Sequence, residues 1–333
     1  MMDKLIAEFP QQLLDALSIG EQIQLQGTYT NIQNVIVAGM GGSGIGANYV
    51  AAIVQDELSI PFIVSKSYQI PNFVGKNTLF IASSYSGNTE ETIQSMEAAF
   101  AKGAHIICIA SGGKIIDFAK ANNLDYVQLP NHGAPPRACL GYSFIQQLFI
   151  LNKLGFISTK TIEDVRKAVI LLEQERESVE LKASKMAPLF IGRMPILYAV
   201  ERMEPTAVRL RQQLNENAKI LASHHVIPEM NHNELVGWRE QNLPFLALIL
   251  RSDFDGESNV IRTNINKEII GHYTDTVIEL HCKGDSFVAQ MLYATYIGDW
   301  ISFKVSELRN VDSMEVRVID YLKSQLAEFN SSK

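Results

Sequence analysis

The chain has 333 residues, of which 47% are hydrophobic and 20% charged, and a net charge of −7. That length accommodates two domains of about 150 residues each, the balance is that of a globular protein with a sizeable core, and the acidity offers no basic surface for nucleic acid. Three dispersed cysteines, Cys108, Cys139 and Cys282, make neither a disulfide framework nor a zinc ribbon and point to a reducing, cytoplasmic setting.

The amino-terminal stretch MMDKLIAEFPQQLLDAL reads as an amphipathic helix. Its acidic residues Asp3, Glu8 and Asp15 set it apart from a secretory leader. No run of 18 apolar residues occurs, so no membrane span is expected. From residue 32 to 155 short apolar runs alternate with helical patterns. Strands are predicted at Val35–Ala38, Pro61–Val64, Leu79–Ser83, His105–Ala110 and Asp125–Leu129. A helix is predicted over Thr89–Lys102, with Ile93, Met96 and Phe100 on one face. Such alternation predicts a parallel sheet covered on both faces, with ligands bound beyond the carboxyl ends of its strands.

Between the first strand and a helix predicted over Ala47–Val54 lie Gly39, Gly41, Gly42, Gly44 and Gly46. A glycine-rich strand-to-helix turn lets backbone N–H groups and a helix N-terminus hold an anion. Ser43 adds a hydroxyl donor. A tight turn that holds nothing is the plain alternative, and so much glycine argues against it. The glycines also satisfy the dinucleotide fingerprint G-x-G-x-x-G, a weak signal alone. That fingerprint needs an acidic residue about 20 positions on, ending the second strand. Ser65-Lys66-Ser67 stands there instead, which argues against a nicotinamide cofactor but leaves open a phosphorylated one near Lys66.

After the third predicted strand comes SSYSGNTEET, residues 83–92. Ser83, Ser84, Ser86, Asn88 and Thr89 supply five polar donors around Gly87. Glu90 and Glu91 complement the dipole of the helix that follows. Helix capping by Asn88 or Thr89 needs only one such residue, and here several are packed together. Two donor-rich loops at neighbouring strand ends suit one phosphate.

GMGGSGIG followed by SYSGNTEET resembles the sugar isomerase (SIS) domain. The resemblance implies an α/β fold of flavodoxin-like SIS units, each a mostly parallel sheet flanked by helices, that bind phosphosugars. It places Gly42, Ser43, Ser84, Ser86 and Thr89 around the phosphate. Asn131-His-Gly-Ala-Pro-Pro-Arg137 resembles the proline-preceded arginine of one branch, the bifunctional phosphoglucose/phosphomannose isomerases. That branch would set Arg137 over the reacting carbons. A surface ion pair is the ordinary fate of a lone arginine, but two prolines stiffen this loop.

Residues 156–190 read as a charged helical connection between a first domain, 1–155, and a second, 191–333. Strands are predicted at Ile196–Val200, Phe245–Leu250 and Thr276–His281. This half reads as a second SIS-like domain without a glycine loop, since Glu201-Arg-Met-Glu-Pro follows Val200. A helix from Thr206 to near Ala222 carries Leu210, Leu214 and Ala218 on one side. Glu216 lies about 200° round from Leu214, away from that stripe. By resemblance Glu216, in Gln213-Leu-Asn-Glu-Asn-Ala-Lys219, is the catalytic base. His232, in Pro228-Glu-Met-Asn-His-Asn-Glu234, matches the family histidine, presented to the partner's site in a homodimer. A solvated helix glutamate is the commoner fate of a lone Glu; the neighbouring motifs favour the base.

A metal site built from His224, His225, Glu229, His232 and Glu234 is the rival reading. It lacks the H-E-x-x-H spacing of zinc hydrolases, and Pro228 interrupts any helix. No metal is therefore expected; His224 and His225 read as a helix end and a structural hydrogen bond. Ser286–Val305 reads as a long buried helix. Asp312-Ser313 would cap a last helix reaching Phe329. Lys323, in Asp320-Tyr-Leu-Lys323, resembles the family's C-terminal lysine, although an exposed position on an amphipathic helix suits it equally. The expected activity is interconversion of glucose 6-phosphate or mannose 6-phosphate with fructose 6-phosphate through a cis-enediol, without cofactor. An SIS enzyme acting on an amino sugar phosphate and a phosphosugar-binding regulator are the alternatives. A regulator would bring a DNA-binding domain and a basic face, and neither is legible.

Overall fold

The computed structural model describes residues 1–239 and 244–331. Helices α1 (Met2–Ala7) and α2 (Phe9–Glu21) precede a first sheet made of β1 (Asn34–Ala38), β2 (Phe62–Ser65), β3 (Thr78–Ser83), β4 (His105–Ala110) and β5 (Asp125–Gln128). Helices α3 (Gly41–Val54), α4 (Glu90–Ala101), α5 (Gly113–Ala121) and α6 (Leu140–Lys153) connect and follow these strands. Helices α7 (Lys160–Gln174) and α8 (Arg176–Met186) follow in the chain before the second sheet. The second sheet comprises β6 (Met194–Val200), β7 (Ser223–Ile227), β8 (Phe245–Arg251) and β9 (Val277–His281). Its helices are α9 (Glu204–Glu216), the short α10 (Glu234–Gly237), α11 (Glu257–Gly271), α12 (Phe287–Leu308) and α13 (Arg317–Ser331).

Every strand pairing is parallel. The strand orders are β2-β1-β3-β4-β5 and β7-β6-β8-β9. The second is the first with its last strand missing, so the repeat expected from sequence is present. Both have the flavodoxin-like order, which directs ligands to the carboxyl ends of the two central strands.

The pleat explains the layers. Val35, Val37, Leu79 and Ile81 face a core shared with α3, α6, α12 and the second sheet. Their neighbours Ile36, Ala38, Phe80 and Ala82 face a separate core under α4 and α5. A third core, with Tyr198, Ile249 and Ile270, covers the outer face of the second sheet. Helix α12 is buried for most of its length and packs on α7, α8 and α9. Being apolar nearly all round, it has no solvent face to spare.

Several boundaries differ from expectation. The amino-terminal helix breaks into two at Glu8. Helix α9 ends at Glu216 rather than near Ala222. His224 and His225 lie in β7, an edge strand, not at a helix end. Asp312-Ser313 caps nothing: α13 begins at Arg317, and Asp312 accepts from the amide of Met314. Among the described residues, no helix is long and apolar enough to cross a membrane.

One buried ion pair sits where the domains meet. Arg209 on α9 donates to both oxygens of Asp299 on α12, at 3.1 and 2.6 Å, and also to the carbonyl of Arg137 at 3.0 Å. Both side chains are almost wholly buried. Removing one partner strands a charge in the interior. Asp299→Ala is expected to lower the unfolding free energy by about 3–5 kcal/mol. Chemical denaturation checks this, and a change within about 0.5 kcal/mol, the range of a surface substitution, would contradict it.

Candidate active site

The glycine turn is more helical than expected. Met40 is extended and α3 starts at Gly41, so Gly42, Ser43, Gly44 and Gly46 occupy its first turns. The reason is close approach. A Cβ on Gly42 would lie 2.6 Å from the carbonyl oxygen of Pro136, and one on Gly39 would lie 2.8 Å from that of Ser83. The helix N-terminus is thereby pressed against the Pro136-Arg137 turn on one side and the end of β3 on the other.

Ser43 is buried and its Oγ accepts from the amide of Tyr85 at 3.1 Å. It joins the first loop to the second while its own proton stays available to an acceptor. In the second loop Ser84 Oγ accepts from the amide of Gly87 at 3.1 Å and lies 2.8 Å from Thr89 Oγ1. Ser86 is exposed, and its Oγ accepts from the amide of Asn88 at 3.3 Å. Gly87 has φ +69, and a Cβ there would meet the carbonyl oxygen of Gly112. Thr89 stands at the N-cap position of α4 without a side-chain capping bond, its hydroxyl being directed to Ser84. Five candidate phosphate residues thus gather at the N-termini of α3 and α4, the positive ends of two helix dipoles. Lys66, beside the glycine turn, donates to Asn48 on α3 at 2.6 Å.

Arg137 occupies a 3-10 turn, Pro136–Ala138, with extended Pro135 before it. Gln12 on α2 braces the turn: it donates to the carbonyl of Ala138 at 2.6 Å and accepts from the amide of Gly141 at 2.8 Å. Arg137 is not a surface arginine; only 6% of its side chain is exposed. Its Nε donates to Asn217 Oδ1 at 2.8 Å and its Nη1 to Glu216 Oε2 at 3.2 Å. Its Nη2 donates to the carbonyls of Ser313 at 2.7 Å and Met314 at 3.3 Å. Burial pushes the guanidinium below its ordinary pKa, and the Glu216 carboxylate opposes that shift.

Glu216 is the last residue of α9 and is about one-third exposed. It lines a 320 Å³ cleft, whose other walls include Asn215, Lys219, Ile220, Glu315 and Ile319. The buried Asn217 is fixed through its amide nitrogen to Ser302 on α12 at 3.0 Å. Sequence pattern alone assigns no separate role to Asn217 or Lys219. The signal was their place beside Glu216 in Asn-Glu-Asn-Ala-Lys, where only Ala218 belongs to the apolar stripe.

Two candidates stand apart from this set. His232 is exposed at the end of a 3-10 turn, Glu229–His232, beyond β7. Lys323 is exposed on α13, one helical turn beyond Ile319. His225 Nδ1 lies 2.8 Å from Glu234 Oε2, while Tyr198 donates to the other oxygen of Glu234. Trp238 Nε1 donates to Tyr198 at 2.8 Å. This chain of bonds fixes the segment carrying His232 to the second sheet. Among the described residues, no three His, Cys, Asp or Glu side chains are grouped to share a metal ion.

Two family models match. The SIS domain covers residues 28–151, and the bacterial phospho-glucose isomerase C-terminal SIS domain covers residues 180–326. A bifunctional phosphoglucose/phosphomannose isomerase of Caldicellulosiruptor bescii is 36% identical over 97% of this chain and 98% of its own. A D-glucosamine-6-phosphate 4-epimerase of Sulfolobus acidocaldarius is 29% identical over 87% of this chain and 90% of its own. A solved structure described as a phosphosugar isomerase from Clostridium difficile superposes with a TM-score of 0.74 over 95% of both chains at 18% identity, a likeness of fold. With two SIS units matched in order and a near full-length relative at that identity, the chain belongs to the bifunctional phosphoglucose/phosphomannose isomerase family.

Proposed function

We propose that the protein is an aldose–ketose isomerase that interconverts glucose 6-phosphate and mannose 6-phosphate with fructose 6-phosphate. The observation that carries this reading is the Arg137–Glu216 pair at the edge of a cleft, 3.2 Å apart. Isomerisation needs a base that takes the C2 proton and returns it to C1, and a fixed cation for the enediolate oxygens. One side chain of each kind is present, joined and oriented. The carboxylate accepts the C2 proton, the electron pair moves into the C1–C2 bond, and the carbonyl oxygen becomes an enediolate held by the guanidinium. The same carboxyl group then delivers the proton to C1, while the C2 hydroxyl passes its proton to the C1 oxygen and becomes the ketone.

The remote phosphate would be held by Ser43, Ser84, Ser86 and Thr89 and the N-termini of α3 and α4. Its binding energy positions the reacting carbons. Ring opening needs a proton moved from the C1 hydroxyl to the ring oxygen, a task for His232 or Lys323. Neither touches Glu216 within one chain. In a homodimer His232 would serve the partner's site. Its exposure supports this, as do exposed Val236 nearby and Ile261 and Ile265 on α11, the helix joined to the His232 turn by the Asn231–Asn266 hydrogen bond. Three free, buried cysteines suit a cytoplasmic enzyme. The similarity to an epimerase of glucosamine 6-phosphate favours a second reading, an amino sugar phosphate as substrate; turnover of glucosamine 6-phosphate in preference to glucose 6-phosphate would select it.

Glu216→Gln keeps shape but cannot accept a proton. It is expected to bind the phosphosugar, to lose at least about 10²-fold in kcat, and to stop exchanging the C2 proton with deuterated solvent. Near-normal turnover and exchange would overturn the mechanism. A hydrogen bond to a charged phosphate is worth about 1.5–3 kcal/mol, so Ser86→Ala should raise KM about 10- to 150-fold with little change in kcat. An unchanged KM in the folded variant would remove Ser86 from the site. Glu216→Gln and His232→Ala homodimers, each inactive alone, should regain activity when mixed and allowed to exchange subunits. No recovery despite exchange would place both groups in one chain's site.

A further inference from the structure

We infer that Lys219 is a positioning residue for the isomerisation, its ammonium fixing the main chain of Glu216 and the strap at 313–315 that closes the same cleft. The inference rests on Glu216 being the base. Lys219 Nζ donates to the carbonyl of Glu216 at 2.5 Å and to that of Glu315 at 2.7 Å. Arg137 holds the carbonyls of Ser313 and Met314. Three consecutive strap carbonyls therefore rest on two cations that flank Glu216 on either side. The strap leads through Val316 into α13, and Val316 walls the cleft together with Val318 and Ile319 of that helix.

The backbone supplies an independent observation. Lys219 has φ +56, the left-handed region. Among the described residues, the other non-glycine positions with positive φ are Asn31, Asn123 and Asn310. Asparagine tolerates that conformation; a long side chain gains nothing from it. What lysine adds here is a cation that turns back onto the last turn of α9. Arg309 holds the turn from outside by donating to the carbonyl of Lys219 at 3.1 Å. The cation meets the negative end of the helix dipole at the residue whose side chain must reach the substrate. Burial pushes the ammonium below the usual lysine range, with Glu315 opposing.

The phosphate loops lie on the first domain and do not involve Lys219. Its loss should therefore misplace the base without weakening the phosphate anchor. Displacement of a reacting group by about 1 Å can cost about 10²-fold in rate.

Lys219→Gly and Lys219→Asn suit the left-handed backbone, so the folded state should keep or raise its thermal midpoint. The expected result is a fall in kcat of at least about 10-fold with KM for fructose 6-phosphate within about threefold. Lys219→Arg, which keeps a cation and its donors, should recover part of that loss. Unchanged kcat in Lys219→Gly and Lys219→Asn, or a kcat that falls only in step with thermal stability, would overturn the inference. Glu216→Gln is assayed in parallel. If it stays active, the base assignment fails; if it is inactive while the Lys219 variants turn over normally, the positioning role alone fails.

Discussion

A guanidinium taken out of water must find acceptors for its donors, or the desolvation cost goes uncompensated. Arg137 finds them far away in the chain. Asn217 is 80 residues distant, Glu216 is 79, and Ser313 is 176. Satisfying this one side chain therefore requires the first domain's proline-stiffened turn, the end of α9 and the C-terminal strap to meet. The site between them is the place where three segments solve the same electrostatic problem. Glu216 is held facing its cleft as one of those acceptors.

The two SIS units use opposite ends of the same strand-to-helix device. In the first, β1 and β3 run into α3 and α4, and donors collect at helix N-termini, where an anion is stabilised. In the second, β6 passes through a 3-10 turn, Glu201–Met203, into α9, and the important residue lies at the far end. A carboxylate at a helix C-terminus faces the wrong end of the dipole. Arg137 and Lys219 offset that field, the first at the Glu216 side chain and the second at its carbonyl. The absence of a glycine loop after β6 fits the proposed division, in which the first unit holds the phosphate and the second supplies the base.

Much of this was legible in the sequence where local pattern and tertiary role agree. The three central strands of the first sheet, β1, β3 and β4, are apolar runs buried on both faces. The clustering of glycines and hydroxyls marked the two loops, and the paired prolines marked Arg137 as positioned. The misses have physical causes. Ser223-His-His-Val-Ile227 forms an edge strand that is mostly half-buried, so it lacks the apolar run of its neighbours. The glycines after β1 suggest a loop, since glycine is a poor helix former. There they serve close approach to Pro136 and Ser83, which only the tertiary structure reveals. The end of α9 and the left-handed turn at Lys219 depend on Arg309, Glu315 and Arg137, none of them near in sequence. The roles expected of His232 and Lys323 rest on motif resemblance and not on any periodicity; both residues are exposed in one chain.

The claim that the phosphate loops and the Arg137–Glu216 pair are two ends of one substrate site is tested most directly by a crystal structure. The ligand is an open-chain aldonic acid phosphate whose carboxylate takes the place of the enediolate. The account predicts its phosphate on the hydroxyls of Ser84, Ser86 and Thr89 and its carboxylate on Arg137. The carbon next to that carboxylate should lie within about 3.5 Å of a Glu216 oxygen. A ligand whose phosphate occupies the loops while its carboxylate end lies more than about 6 Å from Glu216, or whose phosphate sits elsewhere, would contradict it.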